Sequence, residues 1–192
     1  MGTRNRSRFE KYRLRFITTT CNKWLPLFRS KKYFMILAES LEFVIRKYPS
    51  HLLAYVFMPN HIHLIILFDD GSNVSAFMRD FKKFTSTAIR KQLEADGELQ
   101  LVEAIRYEKN GQKLKVWIDR FDDFYLTNAK SLMTKLNYIH ENPVRKGLAD
   151  RPEDYPYSSA AFHRKAIQGL IKLIPIFDVI GHANQYEYGA VY

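Results

Sequence analysis

Several large protein classes are excluded by what this sequence lacks. It carries one cysteine, Cys21, in 192 residues, too few for an intrachain disulfide framework or a cysteine-based zinc cage. No apolar run approaches the roughly 18 residues that a bilayer-crossing helix requires. The opening MGTRNRSRFEKYRLRF has no apolar stretch of the signal-peptide kind, and Arg6 stands where a myristoylation motif wants Ser or Thr. Internal repeats and low-complexity tracts are missing, as is any HExxH metalloprotease motif. Acidic residues are scarce: twenty Asp and Glu face thirty Lys and Arg, a net charge of +10. These absences lead to the expectation of a soluble, cytoplasmic protein.

What is present is a core and a basic field. Apolar residues make up 46% and aromatics 15%, enough to fill one domain of ordinary density. The charge is uneven, because Met1 to Ser50 holds twelve basic and three acidic residues. Such a field favours polyanions, chiefly nucleic acid. Its basic residues interleave with aromatics (Arg8-Phe9, Lys11-Tyr12-Arg13, Arg15-Phe16), and no long basic amphipathic helix suits a membrane surface.

Periodicity gives the element order. YRLRFITTTC (Tyr12 to Cys21) alternates and is rich in β-branched residues, the pattern of a strand. Lys31 to Tyr48 repeats apolar residues at helical spacing and ends at Pro49. His51 to Met58 and His61 to Phe68 form a hairpin through Pro59-Asn60, with Asn60 suited to positive φ. A long helix is expected from Val74 to Ala95. A hairpin centred on Asn110-Gly111 is expected over Ala104 to Ile118. A third helix, Leu126 to Asn142, is capped by Thr127 or Asn128 and closed by Pro143. The order strand, helix, strand, strand, helix, strand predicts an α+β, ferredoxin-like (βαββαβ) antiparallel sheet. Helices cover one face, and an extra C-terminal helix follows.

Two stretches carry chemistry. In MPNHIHLIILF, alternation puts His61 and His63 on one face of a strand, about 7 Å apart along the chain. Two imidazoles so placed suit one divalent ion, although a lone pair of histidines is more often just half-buried packing residues. In KLNYIHENPVRKGLA, Tyr138 and Asn142 lie one helical turn apart and offer a phenol nucleophile beside a hard amide ligand. Read from the residues alone, a packing aromatic and a helix-ending amide is the plainer account. Tyr125, Tyr155 and Tyr157 lack an amide in that register. Trp117 could stack on a base, but a core tryptophan is the safer expectation.

AYVFMPNHIHLIILF, RDFKKFTS (Arg79 to Ser86), LNYIHENPVRKGL and PEDYPYSSA, taken together and in order, resemble the REP-associated tyrosine transposases of the single-tyrosine HUH superfamily. The resemblance runs from about Tyr12 to about Phe162 and weakens between Leu93 and Phe124. It implies a ferredoxin-like catalytic domain that cleaves and rejoins single-stranded, hairpin-containing DNA through a 5′-phosphotyrosine. Tyr138 would be the nucleophile, and His61, His63 and Asn142 would hold Mg²⁺ or Mn²⁺. Arg79, Lys82 and Lys83, with Arg145, Lys146 and Arg13, are candidate DNA contacts, although solvated helix faces explain several of them. On this reading 1–11 is a basic flexible arm, 12–165 the catalytic domain and 166–192 a C-terminal extension. A monomer or homodimer at the bacterial nucleoid is expected. The rival expectations are a catalytically silent nucleic-acid-binding module and a phosphodiesterase that uses water.

Overall fold

The computed structural model describes residues 13–69, 72–109 and 112–176. The proposed basic arm, with Arg4, Arg6 and Arg8, lies outside the described residues. Strand β1 (Arg13–Thr20) leads through a short 3₁₀ turn at Asn22–Trp24 to helix α1 (Lys31–Lys47). The hairpin of β2 (Ser50–Met58) and β3 (His61–Phe68) follows, then α2 (Val74–Ala95) and a short α3 (Leu99–Ala104). Strands β4 (Arg106–Lys109) and β5 (Gln112–Leu114) form a separate ribbon. Strand β6 (Asp122–Tyr125), α4 (Ala129–Arg145), a 3₁₀ turn (Pro152–Asp154) and α5 (Ala160–Lys165) complete the order.

The main sheet runs β2-β3-β1-β6 with every pairing antiparallel, the strand order of a ferredoxin-like fold. All eight residues of β3 are buried, because helices cover it on both faces. Its even positions, Ile62, Leu64, Ile66 and Phe68, join Phe34, Leu37 and Leu41 of α1 and Phe77 and Phe81 of α2 in one core. Its odd positions, Ile65 and Leu67, meet Leu132, Leu136 and Ile139 of α4 in the other. Each such side chain contributes about 1.5–3 kcal/mol when fully buried. The extra helix thus occupies the face opposite α1 and α2. The histidines share its side of the sheet.

Three local expectations are corrected. The fourth strand of the sheet is not the Ala104–Ile118 hairpin but Asp122–Tyr125. DDFY is short, polar and mostly exposed, so pairing with β1 specifies it rather than alternation. Arg15 makes a 2.6 Å ion pair with Asp123 and lies 3.3 Å over the Tyr125 ring. Second, Pro143 does not close the third helix, which continues to Arg145. Only the N–H of residue 143 is missing, and the end is completed by a Schellman arrangement at Gly147 (φ +66°). There Gly147 N–H donates to Val144 C=O, and Leu148 N–H to Pro143 C=O. Third, Asn60 does not take positive φ; among the described non-glycine residues only Lys23, Trp24 and Ala166 do.

Asn128, not Thr127, caps α4: its Oδ1 accepts from Ser131 N–H at 2.8 Å. The free edge of β2 is covered by the chain after Tyr155, with Phe57 N–H donating to Tyr157 C=O and Ser159 N–H to Tyr55 C=O. Beyond Lys165 the chain returns to the sheet, where Ile174 N–H donates to Leu52 C=O and Ile171, Leu173 and Ile176 are buried.

Candidate active site and metal centre

The face of the sheet under α4 changes character along its length. At one end it is apolar. At the other, β3 presents His61 and His63, and α4 lays Tyr138 against them. Tyr138 lies 5.1 Å from His63 and His63 4.8 Å from His61, centroid to centroid, both edge to face. Phe16 of β1 stacks on His63 at 5.4 Å and meets the edge of Tyr138 at 6.0 Å. Tyr138 keeps 39% of its surface exposed while both histidines are buried, so the phenol is reachable and the imidazoles are shielded. One chain brings all three together.

The imidazoles are held by their inner nitrogens. His61 Nδ1 pairs with Asn60 Oδ1 at 2.7 Å, and Asn60 Nδ2 donates to Trp24 C=O at 3.3 Å. That second bond orients the amide so that its oxygen faces the ring. Nδ1 of His61 then carries the proton and Nε2 the lone pair. Thr18 lies opposite His63 in the β1–β3 register and shares a 2.7 Å hydrogen bond with its Nδ1. His63 Nε2 is buried and has no hydrogen-bond partner. A buried, orphaned nitrogen is costly unless something binds it. Outer partners on Nδ1 with free Nε2 lone pairs are what metal-ligating histidines show.

Asn142 is buried one turn after Tyr138 on α4. Two imidazoles and an amide fit a divalent ion as neutral ligands that leave its charge intact. Among the described residues no group of three or more His, Cys, Asp or Glu comes together in a way that could hold a metal ion. Burial pushes His61 down to about 4, helped by the charge of Lys146. Burial pushes His63 down to about 3, helped by His61, Lys135 and Arg145. Both rings are neutral at pH 7, the form that ligates.

Two of the cations named by those shifts, Arg145 and Lys135, flank the phenol. Arg145 lies 4.7 Å over the Tyr138 ring and donates through Nη2 to Tyr138 C=O at 3.0 Å. Lys135 Nζ stands 4.5 Å over Phe16 and 5.5 Å over both Tyr138 and Phe124. Arg145 therefore belongs to the site by geometry, and Lys146 bears on it through its charge near His61. Arg79, Lys82 and Lys83 do not: α2 covers the other face of the sheet. There Lys82 donates to the carbonyls of Ile118, Asp119 and Arg120 at 2.9–3.3 Å, which uses all three of its protons. Arg79 lies against Asp80 at 3.2 Å, and Lys83 is exposed. Arg13 opens β1 opposite Phe68.

Trp117 is a core residue, donating through Nε1 to Thr85 Oγ1 at 2.8 Å. Tyr155 is buried, and its hydroxyl is engaged in donating to Phe57 C=O. Lys135, Thr18, Asn60 and Trp24 were missed from sequence. Thr18 alone had a usable signal, since aligning FITTTC with HIHLIILF pairs it with His63.

The profile of the family described as transposase IS200-like matches residues 9–142, which include His61, His63, Tyr138 and Asn142. The chain belongs to that family. Over 158 residues it is 27% identical to a REP-associated tyrosine transposase of Escherichia coli, spanning 81% of this chain and 78% of that one. Over 120 residues it is 32% identical to a Haemophilus influenzae relative carrying the same name, spanning 61% of each chain. A solved REP-associated tyrosine transposase bound to a REP hairpin superposes with a TM-score of 0.59. At 22% identity over 85% of this chain and 86% of that one, this likeness shows the fold.

Proposed function

We propose that this member of the family is a single-tyrosine DNA nuclease and strand transferase. It cleaves and rejoins single-stranded DNA near hairpin elements. The observation that carries this reading is the Tyr138 ring 5.1 Å from His63, whose buried Nε2 has no partner, within one chain. Family membership and relatives named as REP-associated tyrosine transposases support it.

The Tyr138 hydroxyl attacks a phosphodiester phosphorus. The Oη–P bond forms as the P–O3′ bond breaks, the phenol proton leaves, and the departing 3′-oxygen takes up a proton. The products are a 5′-phosphotyrosine and a free 3′-hydroxyl. The phosphoryl bond is conserved, so a second 3′-hydroxyl can reverse the step and join strands. His61, His63 and Asn142 would hold Mg²⁺ or Mn²⁺, which when bound supplies charge compensation at a phosphate oxygen. Arg145 and Lys135 place fixed positive charge where negative charge gathers on the transferring phosphate. The edge contacts of Phe16 and His63 hold the phenol in place, lowering the entropic cost of a near-attack arrangement.

Labelled single-stranded hairpin DNA incubated with protein and Mn²⁺, then run on a denaturing gel, tests the proposal. A covalent protein–DNA band should form, and Tyr138→Phe should lose it while still binding DNA. Cleavage without a covalent band would favour a water-using phosphodiesterase. Salt-sensitive binding without cleavage would favour a silent binding module.

A further inference from the structure

The 3₁₀ turn between β1 and α1 has a feature that the cleavage chemistry does not use. Lys23 and Trp24 both hold positive φ, 55° and 56°, a region that bulky L-residues rarely occupy. The turn is nonetheless fixed on every side. Cys21 N–H donates to Asn60 C=O, Asn22 N–H to Val116 C=O, and Trp24 N–H to Cys21 C=O. Lys23 Nζ reaches Ala104 C=O at 3.2 Å. The backbone held in this way does not bury the indole. Trp24 is 64% exposed, unlike the other tryptophan, Trp117, which is buried. Its ring meets the edge of His61 at 6.1 Å, and its carbonyl orients Asn60, which orients His61. Strain held by surrounding bonds around an exposed aromatic, beside a site of chemistry, marks a residue kept for binding.

We propose that Trp24 is a base-stacking subsite for the nucleotide that bears the 3′-oxygen released on cleavage. The inference rests on the tyrosine reading above. The rings run in the order Trp24, His61, His63, Tyr138, with neighbouring centroids 6.1, 4.8 and 5.1 Å apart. In a phosphoryl displacement the entering and leaving oxygens lie roughly in line, on opposite sides of phosphorus. Tyr138 enters from the His63 end, so the leaving 3′-oxygen and its nucleotide are directed toward the His61 end, where Trp24 stands. Every base has a π-face, so the indole accepts any of the four and fixes the position of the nucleotide rather than its identity. Placing that nucleotide sets the line of attack, and after cleavage it retains the freed 3′-hydroxyl for the reverse step.

The test separates binding from cleavage. The position of the wild-type covalent adduct maps the scissile phosphate on a hairpin oligonucleotide. Binding is then measured in the Tyr138→Phe protein without metal. Adding Trp24→Ala should weaken binding by about 10-fold, within the range for one stacked base, while Trp24→Phe retains most of the affinity. An abasic site immediately 5′ of the scissile phosphate should weaken the Tyr138→Phe protein by the same factor and leave the Trp24→Ala protein no weaker than before. An abasic site on the 3′ side should affect both proteins alike. DNA should quench tryptophan fluorescence, and Trp24→Phe should remove that quenching, since Trp117 is sealed in the core. If the wild-type adduct forms but Trp24→Ala changes neither affinity nor abasic response, the subsite is wrong and the tyrosine reading stands. If no adduct forms and single-stranded DNA is not bound, both fall.

Discussion

The two faces of one sheet teach different lessons, although β3 serves both. Toward α1 and α2, its even positions are Ile62, Leu64, Ile66 and Phe68, all apolar and fully covered. Toward α4, the odd positions begin with His61 and His63 and turn apolar only at Ile65 and Leu67. The first face gives stability and needs only shape. The second gives up half of its apolar surface to hold two neutral nitrogens under a helix that carries a phenol. Because side chains alternate along the strand, one eight-residue segment does both without compromise between neighbours.

This contrast can be broken from either side. The largest effect is expected at Tyr138→Phe, which should reduce covalent adduct formation by more than about a thousandfold, as loss of a nucleophile does. Its melting temperature should stay near that of the parent, because the lost hydroxyl belongs to a side chain that is already 39% exposed. His63→Ala should abolish metal-dependent cleavage in the same gel assay. On the other face, Leu64→Ala should do the reverse. Denaturant unfolding should show a loss of about 2–5 kcal/mol, while the folded fraction cleaves normally.

Acid sharpens the comparison, since the imidazoles buried on the α4 side are held neutral. Burial lowers His61 to about 4 and His63 and His140 to about 3, and lowers His163 as well. Folded values below the ordinary value near 6.5 mean that the unfolded chain takes up protons first as pH drops. Stability is therefore full above about pH 6.5 and declines toward pH 4, by as much as about 1.4 kcal/mol per pH unit for each histidine concerned. Chemical denaturation at several pH values measures the slope, and a flat profile between pH 6.5 and 4.5 would contradict the burial. The smallest contrast lies between two lysines. Lys135→Ala should weaken DNA binding and its salt dependence with little change in melting temperature. Lys82→Ala should lower the melting temperature by a few degrees, because three carbonyls lose their donor, and leave binding nearly unchanged.

Much of this is legible in the sequence. The long helix Val74–Ala95 and the strand His61–Phe68 match their sequence boundaries, because each has strong periodicity and a clear start: Asn73 caps α2, and Pro59-Asn60 turns the hairpin. The histidine pair, Tyr138 and Asn142 were visible as residue types, and the shared face of His61 and His63 followed from alternation. What could not be read was distance. Nothing in the spacing between residues 63 and 138 says that α4 crosses the histidine face rather than the other one. Strand β6 escaped because DDFY has no alternation and is defined by Arg15 on its neighbour. Trp24 escaped because NKW contains no glycine to announce a left-handed turn, and only the hydrogen bonds around it hold that conformation.

The account turns on one bond between protein and DNA. Protein incubated with hairpin-containing single-stranded DNA and Mn²⁺, digested with protease and nuclease, can be read by tandem mass spectrometry for the modified residue. A nucleotide joined through its 5′-phosphate to Tyr138 is the predicted result. A 5′-phosphate on any other residue, or cleaved DNA with no modified peptide, would contradict it.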